Sequence, residues 1–370
     1  MTKKLNAFNV LLILTIIMLL LMAVTIFKAV GDDEDFAPLF PEMLSELNSI
    51  NTVRFNSRQG DFTLYRQGGE WFIREHFDYM ADGRQIRRML VDIAESRILE
   101  RKTDNPEHYL LLGVEGIEDG GESVQITMLD QDETVAQLVL GRTRDTARWD
   151  GPTQHYARRG GEDRSWLVEG YLNLSPVMMN WVQSQIVDIE RERIAKVTIT
   201  QPDGSSATLI NLGQRNRFGT PEDREETVFV YSQLGYDIAG SLHQLRMQDV
   251  QPAEQFSRGD SEVVTAKFTT FDGMVVTSET SFNDGFYFTT LTAQYDPASI
   301  TAAPDDIVEM EVLKTSEQVQ QEVNWINENL SGWVYRVSGF TGTNLMRARS
   351  DIVTEASRAI PMPVDPMMMQ

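Results

Sequence analysis

Histidines are the first place to look for chemistry, because an imidazole moves protons near neutral pH and ligates metals. The chain has four, His76, His108, His155 and His243, and none has a second histidine at metal-ligand spacing. Each reads as an ordinary surface or half-buried side chain. Cysteine is absent, which excludes disulfides, thiol nucleophiles and cysteine-ligated metals and is compatible with an oxidising compartment. With 55 Asp and Glu among 370 residues, two carboxylates at glycosidase separation can meet in a fold, but no sequence feature selects a pair. The stretch "DQDET" at 130–134 resembles a calcium loop without its glycine or distal glutamate, and it falls between two strand-like runs. A hairpin turn is the expectation there. Phosphate-loop, dinucleotide-turn, HExxH and GxSxG motifs are all missing, so the common hydrolase and nucleotide chemistries have no anchor in this chain. Trp71, Trp166 and Trp333 are large enough to stack on sugars or peptides. Each lies among apolar neighbours in a strand-like run, where an aromatic fills the core between sheet and helix. "RQIRR" at 84–88 reads as a solvated helix face. No catalytic, cofactor-binding or metal residue is therefore assigned, and no cofactor is expected.

The elements around these residues follow from hydrophobic period. "NTVRFN", "DFTLYR" and "EWFIR" are strand-like, the last two joined by "QGG" as a hairpin turn. "ADGRQIRRMLVDIAESRILE" places Ile86, Leu90, Ile93 and Ile98 close to one helical face, the pattern of an amphipathic helix laid on a sheet. "SVQITMLD", "TVAQLVLG", "QHYARR" and "SWLVEG" then alternate across short polar connections, which favours antiparallel pairing over βαβ crossovers. "LNLSPVMMNWVQSQI" at 172–186 is expected to close the first lobe as a helix.

The second half repeats this order. "IAKVTITQPDGSSATLINLG" matches the opening hairpin, and "IAGSLHQLRMQDV" follows as a helix. A shift of 152 positions superposes Ile86, Leu90, Ile93 and Ile98 on Ile238, Leu242, Leu245 and Val250. Trp166 and Trp333 hold matching places, and "SEQVQQEVNWINENL" adds a helix before the latter. The predicted class is α+β: a single N-terminal transmembrane helix followed by two similar tandem lobes of antiparallel sheet with packed helices. The first lobe spans 50–189 and the second 190–356. Residues 36–49 form a juxtamembrane segment that packs against the body or the membrane surface, and 357–370 a loose tail of three prolines and four methionines.

The anchor rests on the apolar run from Val10 to Phe27, near the twenty or so residues that cross about 30 Å of hydrocarbon. Lys3 and Lys4 precede it, whereas Lys28 is followed by Asp32, Asp33, Glu34 and Asp35. Basic flanks stay in the cytoplasm, so residues 1–35 read as a cytoplasmic N-terminus, an inner-membrane single-pass anchor and an acidic collar, with the bulk periplasmic. A cleaved signal peptide needs a shorter apolar region and a better site than Ala29-Val30-Gly31. Leu14, Met18 and Met22, next to Leu21 and Thr25, make a stripe suited to a neighbouring transmembrane helix. A formal charge of -22 argues against nucleic acid and against anionic lipid surfaces as partners.

The ordered series "GEWFI", "DYMADGRQIRRMLVDIAESRI", "LLLGV", "SVQITMLD", "LVLGR", "HYARR" and "SWLVEG" resembles the uncharacterised, membrane-anchored DUF4340-type family found beside gliding-motility-type ABC transporters. "GWVYRVSGFTGTNLMRA" resembles that family's C-terminal close. The sequence departs from the pattern at Met80, where "YMAD" replaces a tyrosine-proline pair, and in the extra residues of "EGIEDGGES". The resemblance transfers no catalytic residues. It implies a non-enzymatic accessory subunit acting with an ABC transporter permease and its substrate-binding-like protein. A solute-binding module and a carboxylate-based envelope hydrolase remain the alternatives. A deep pocket with convergent polar groups points to these two, and an exposed apolar patch to the accessory role.

Overall fold

Alternating buried and exposed side chains dominate the chain, and the computed structural model turns them into two sheets. It describes residues 15, 16, 18, 36–144, 151–214, 217–222 and 227–354. Lys3, Lys4, Val10, Leu14, Leu21, Met22, Thr25 and Phe27 lie outside the described residues, as does the tail 357–370; Met18 is described and exposed. No helix among the described residues is long and apolar enough to cross a membrane. The chain divides into two units, one ending at Val182 and the other beginning at Gln183.

In the first unit the strands are β1 (Thr52–Asn56), β2 (Phe62–Gln67), β3 (Glu70–Ile73), β4 (Tyr79–Met80), β5 (Arg97–Arg101), β6 (Val124–Asp130), β7 (Glu133–Arg144), β8 (Thr153–Arg159) and β9 (Ser165–Gly170). They form one sheet in the order β4-β3-β2-β1-β6-β7-β8-β9-β5, and every pairing is antiparallel. Helix α1 (Gly83–Glu95) buries Ile86, Met89, Leu90, Ile93 and Ala94. Asp82 starts it, its carboxylate accepting from the N–H groups of Arg84 and Gln85 at 3.0 and 3.1 Å, the usual N-cap arrangement. The helix ends at Glu95, where Ser96 turns extended and its hydroxyl donates to the Ile93 carbonyl at 2.7 Å. Ile98, expected on the helix, is a buried residue of β5.

Residues 36–49, expected to lie against the body or a membrane surface, pack on the body. Leu39 N–H donates to Ser96 O, and Ile98 N–H to Ala37 O, so the chain lies along β5, and Leu39, Met43 and Ile50 are buried. The expected closing helix at 172–186 does not form. A single 3₁₀ turn, Met178–Trp181, is followed by β10 (Gln185–Val187), which belongs to the second sheet. That sheet therefore takes up the chain before residue 190.

The second unit adds β11 (Ile194–Thr200), β12 (Ser206–Asn211), β13 (Phe218–Gly219), β14 (Leu245–Pro252), β15 (Val263–Thr270), β16 (Met274–Asn283), β17 (Phe286–Tyr295) and β18 (Trp333–Val337). Their order is β10-β14-β18-β17-β16-β15-β11-β12-β13. Read from its far edge, β13-β12-β11-β15-β16-β17-β18-β14 repeats the first unit's β3-β2-β1-β6-β7-β8-β9-β5 strand for strand. The repeat visible in the sequence is thus a repeat of topology. Helix α2 (Leu234–Ala239) and a 3₁₀ turn through Leu242 stand where α1 stands in the first unit. Ile238, Leu242, Leu245 and Val250 are all buried, but only Ile238 is α-helical, and Leu245 and Val250 belong to β14. Trp71 and Trp166 are buried, whereas Trp333 is half-buried. It opens β18 opposite Pro252, the last residue of β14, where the pairing ends.

Helix α3 (Ser316–Asn329) is the insertion between β17 and β18, and it opens on a capping box in which Thr315 and Gln318 satisfy each other's backbone N–H groups. It does more than cover the sheet. β18 pairs with β17 only over Tyr287–Thr289, which leaves the rest of that β17 edge without a strand. Asn327 takes its place: its amide oxygen accepts from Ala293 N–H at 2.9 Å and its amide nitrogen donates to Ala293 O at 2.8 Å. Asn327→Ala orphans both backbone groups and is expected to destabilise the unit by about 1–3 kcal/mol in urea unfolding. An unchanged midpoint would show the edge to be satisfied otherwise.

Candidate functional site

The pairing of β5 with β9 builds the first feature that can hold a ligand. Arg97 at the start of β5 lies opposite Glu169 near the end of β9. The end of α1 and the chain leaving β9 are thereby brought together, with Gly170 against Ser96 so closely that a Cβ would sit 3.2 Å from the serine's own. Between α1 and the segment 171–181 opens a cleft of about 520 Å³, within the usual range for small-molecule sites. Its floor is apolar: Met89, Leu174 and Trp181 are buried there. Its rim is polar, with Arg84, Gln85, Arg88 and Asp92 from the helix and Tyr171 and Asn173 from the segment. Tyr171 is 59% exposed. Burial raises the Asp92 carboxyl, Arg88 pulls it back, and Glu95 pushes it further up. Arg87, the remaining arginine of "RQIRR", faces a smaller cleft of about 220 Å³ with Arg66 and Trp71. Arg84, Arg87 and Arg88 are all exposed, as expected of a solvated helix face, and they border two grooves.

The second feature is aromatic and lies on the second unit. β16 and β17 are joined by Asp284-Gly285, both with positive φ, the two-residue turn that Asp-Gly favours. Beside it Phe282 packs on Tyr287, ring centroids 4.7 Å apart, and Arg336 sits over Phe286 at 4.9 Å. Phe340 opens helix α4 (Gly339–Met346), three residues after Val337, which pairs with Tyr287. Gly342 of that helix touches the same tyrosine so tightly that a Cβ would overlap its ring. Phe282, Phe286 and Phe340 are all exposed, the last at 64%.

The family described as Domain of unknown function (DUF4340) matches residues 71–267, more than half of the chain. The chain belongs to that family. No curated protein and no solved structure gives a match. The matched span runs from β3 of the first unit into β15 of the second. In this DUF4340 protein it therefore holds the whole cleft but not the aromatic hairpin end.

Among the described residues of this DUF4340 protein, a buried charge cluster is also on the second unit. Arg193, fully buried, donates through Nε and Nη2 to Asp272 at 3.1 and 3.3 Å and through Nη1 and Nη2 to Glu322 at 3.1–3.2 Å. Lys314 reaches Glu322 at 2.8 Å, and its backbone N–H and the Thr270 hydroxyl donate to Asp272. Burial works to raise the Asp272 carboxyl, but Arg193 and these donors outweigh it and hold it below the usual carboxylate range. An ionised, saturated carboxylate has no proton to give as a general acid. The cluster clamps α3 to the turn between β15 and β16.

The histidines stay apart. His155 is buried between the hydroxyls of Thr143 and Thr153, and burial lowers its pKa. His108 lies beside Thr103 and His243 beside Asp188. Among the described residues no group of three or more His, Asp or Glu is placed to hold a metal ion. "DQDET" forms the tight β6–β7 turn, with Gln131 at positive φ and Asn51 bridging Asp130 and the Gln131 N–H. Sequence reasoning did not single out Arg193, Trp181, Tyr171 or Phe340. No local signal marks these four, whereas the arginines of the cleft were visible in "RQIRR".

Proposed function

We propose that this protein is a non-enzymatic accessory subunit, tethered to the inner membrane by its N-terminal apolar run, whose exported units act by protein–protein contact. Its partner class is the ABC-type permease and substrate-binding-like protein implied by the family resemblance. The observation that carries the reading is the aromatic hairpin end. Phe282, packed on Tyr287, and Phe286, under Arg336 on the other face of the hairpin, are exposed beside one turn. Exposed Phe340 stands on the helix that packs on Tyr287, so each face carries apolar surface that water disfavours and a partner can cover. Phe, Tyr and Arg, the residues gathered here, are enriched at protein interfaces. The engagement of Asp272 by Arg193 supports the same reading by removing the most buried carboxylate from acid chemistry.

The test is affinity purification of the full chain from mild detergent, comparing wild type with Phe282→Ser/Phe286→Ser/Phe340→Ser. Recovery of a multi-spanning permease is expected to fall at least about tenfold, since interface anchors each contribute more than about 1 kcal/mol. The variant should keep its circular-dichroism spectrum, because all three side chains are exposed. Undiminished permease recovery with the triple variant, or no permease with either protein, would overturn the proposal.

A further inference from the structure

Six polar side chains line the rim of the α1 cleft above its apolar floor, with Arg84, Arg88, Tyr171 and Asn173 exposed and Arg88 acting on Asp92 through space. Among the described residues, Arg84, Gln85, Arg88, Asp92, Tyr171 and Asn173 make no side-chain hydrogen bond and no ion pair. Other arginines of this chain are engaged, as Arg159 is with Glu162, Arg258 with Glu279 and Arg349 with Glu222. Acidic partners are plentiful, with 55 Asp and Glu in the sequence. Two like charges at i and i+4 weaken a helix, so Arg84 beside Arg88 does not serve α1, while Arg88 acts on Asp92 one turn on. What they offer is a pair of guanidiniums above one cavity, suited to one anionic group through charge-assisted hydrogen bonds.

The rest of the cleft narrows the class. Gln85 and Asn173 supply amides that both donate and accept, and Asp92 accepts, a set that matches neighbouring hydroxyls. Tyr171 and the floor of Met89, Leu174 and Trp181 supply apolar surface for the face of a ring. We propose that this cleft binds an acidic sugar, a hydroxylated ring carrying a carboxylate or phosphate that Arg84 and Arg88 hold. The anionic group sits between Arg84 and Arg88, and the hydroxyls face the carboxylates of Asp82 and Asp92 and the amide of Asn173. This site is separate from the aromatic hairpin end and does not depend on it.

Isothermal titration of the full chain in mild detergent tests it, with glucuronate, glucose 6-phosphate, glucose and inorganic phosphate as probes. Saturable binding is expected for an acidic sugar, with glucose and inorganic phosphate each at least about tenfold weaker. Preference between glucuronate and glucose 6-phosphate identifies the anion. Arg84→Gln and Arg88→Gln should each weaken the acidic sugar about tenfold, the loss of one charge-assisted hydrogen bond. Tyr171→Ala should weaken the sugar and leave inorganic phosphate unchanged. These residues are on the rim, so thermal melting of the variants should match wild type. Equal affinity for glucose and the acidic sugars, inorganic phosphate binding as tightly as either, no saturable binding by any probe, or full affinity in both arginine variants would each overturn the proposal.

Discussion

Arg193→Ala is expected to destabilise the second unit by about 3–5 kcal/mol, the penalty for leaving buried charge without its partner. The guanidinium is 0% exposed and satisfies carboxylates from two distant parts of the chain, Asp272 and Glu322. Its removal leaves Asp272 in a site where burial raises its pKa with less to oppose it. Urea unfolding followed by circular dichroism measures the loss. Replacing the whole cluster, as in Arg193→Met/Asp272→Leu/Glu322→Leu, should be milder than the single change, since apolar substitution of a buried ionic group is often neutral or stabilising. A pH dependence follows from the same carboxyl. Its folded pKa is depressed, so its contribution is present above the unfolded value near 3.9 and is lost as pH falls through the lower folded value. Wild-type stability should therefore drop below about pH 4, and Asp272→Asn should lack that part of the drop. A single change at Arg193 costing under about 1 kcal/mol would refute the clamp.

Trp181→Ala should cost about 3–5 kcal/mol, in the range for large-to-small changes at buried aromatics. The indole is 1% exposed, lies 5.1 Å from the Phe55 ring and donates through Nε1 to the Ser175 carbonyl at 2.9 Å. The backbone carbonyl of the same residue accepts from the N–H of Asp82 at 2.8 Å, the residue that caps α1. The tryptophan thus fixes the segment 171–181 against the helix and forms part of the cleft floor. The variant should lose thermal stability in the first unit and bind any cleft ligand more weakly, whereas Trp181→Phe should recover most of the stability. Full stability of Trp181→Ala would show that the segment is held elsewhere.

Local pattern was enough to read much of this architecture. The alternation in "SVQITMLD", "TVAQLVLG" and "SWLVEG" marks β6, β7 and β9, and the 152-residue shift marks the repeat, because a period of two buries one face of a strand whatever its neighbours are. The same local logic stops short at element ends. Ile98 and Leu245 continue a helical spacing that neither chain segment follows, since pairing of β5 with β9 and of β14 with β18 satisfies more backbone groups than another helical turn. "LNLSPVMMNWVQSQI" is apolar enough for a helix, but it runs non-helical from Leu172 to Val177, turns once at Met178–Trp181 and ends in β10.

By itself the sequence determined the α+β class, the two tandem units and the absence of cysteine chemistry, which follow from composition and short-range period, while the family followed from the resemblance of its ordered motifs. Tertiary structure decided which charged and aromatic residues meet. Asp272 and Glu322 lie 79 and 129 positions from Arg193, and nothing local in "RERIAKV" marks that arginine as the one to be buried. Arg84 and Asp92 meet Tyr171 and Asn173 only because β5 pairs with β9 at the edge of the sheet. Strand order is set by the burial of whole faces over long separations, and no window of neighbouring residues contains it.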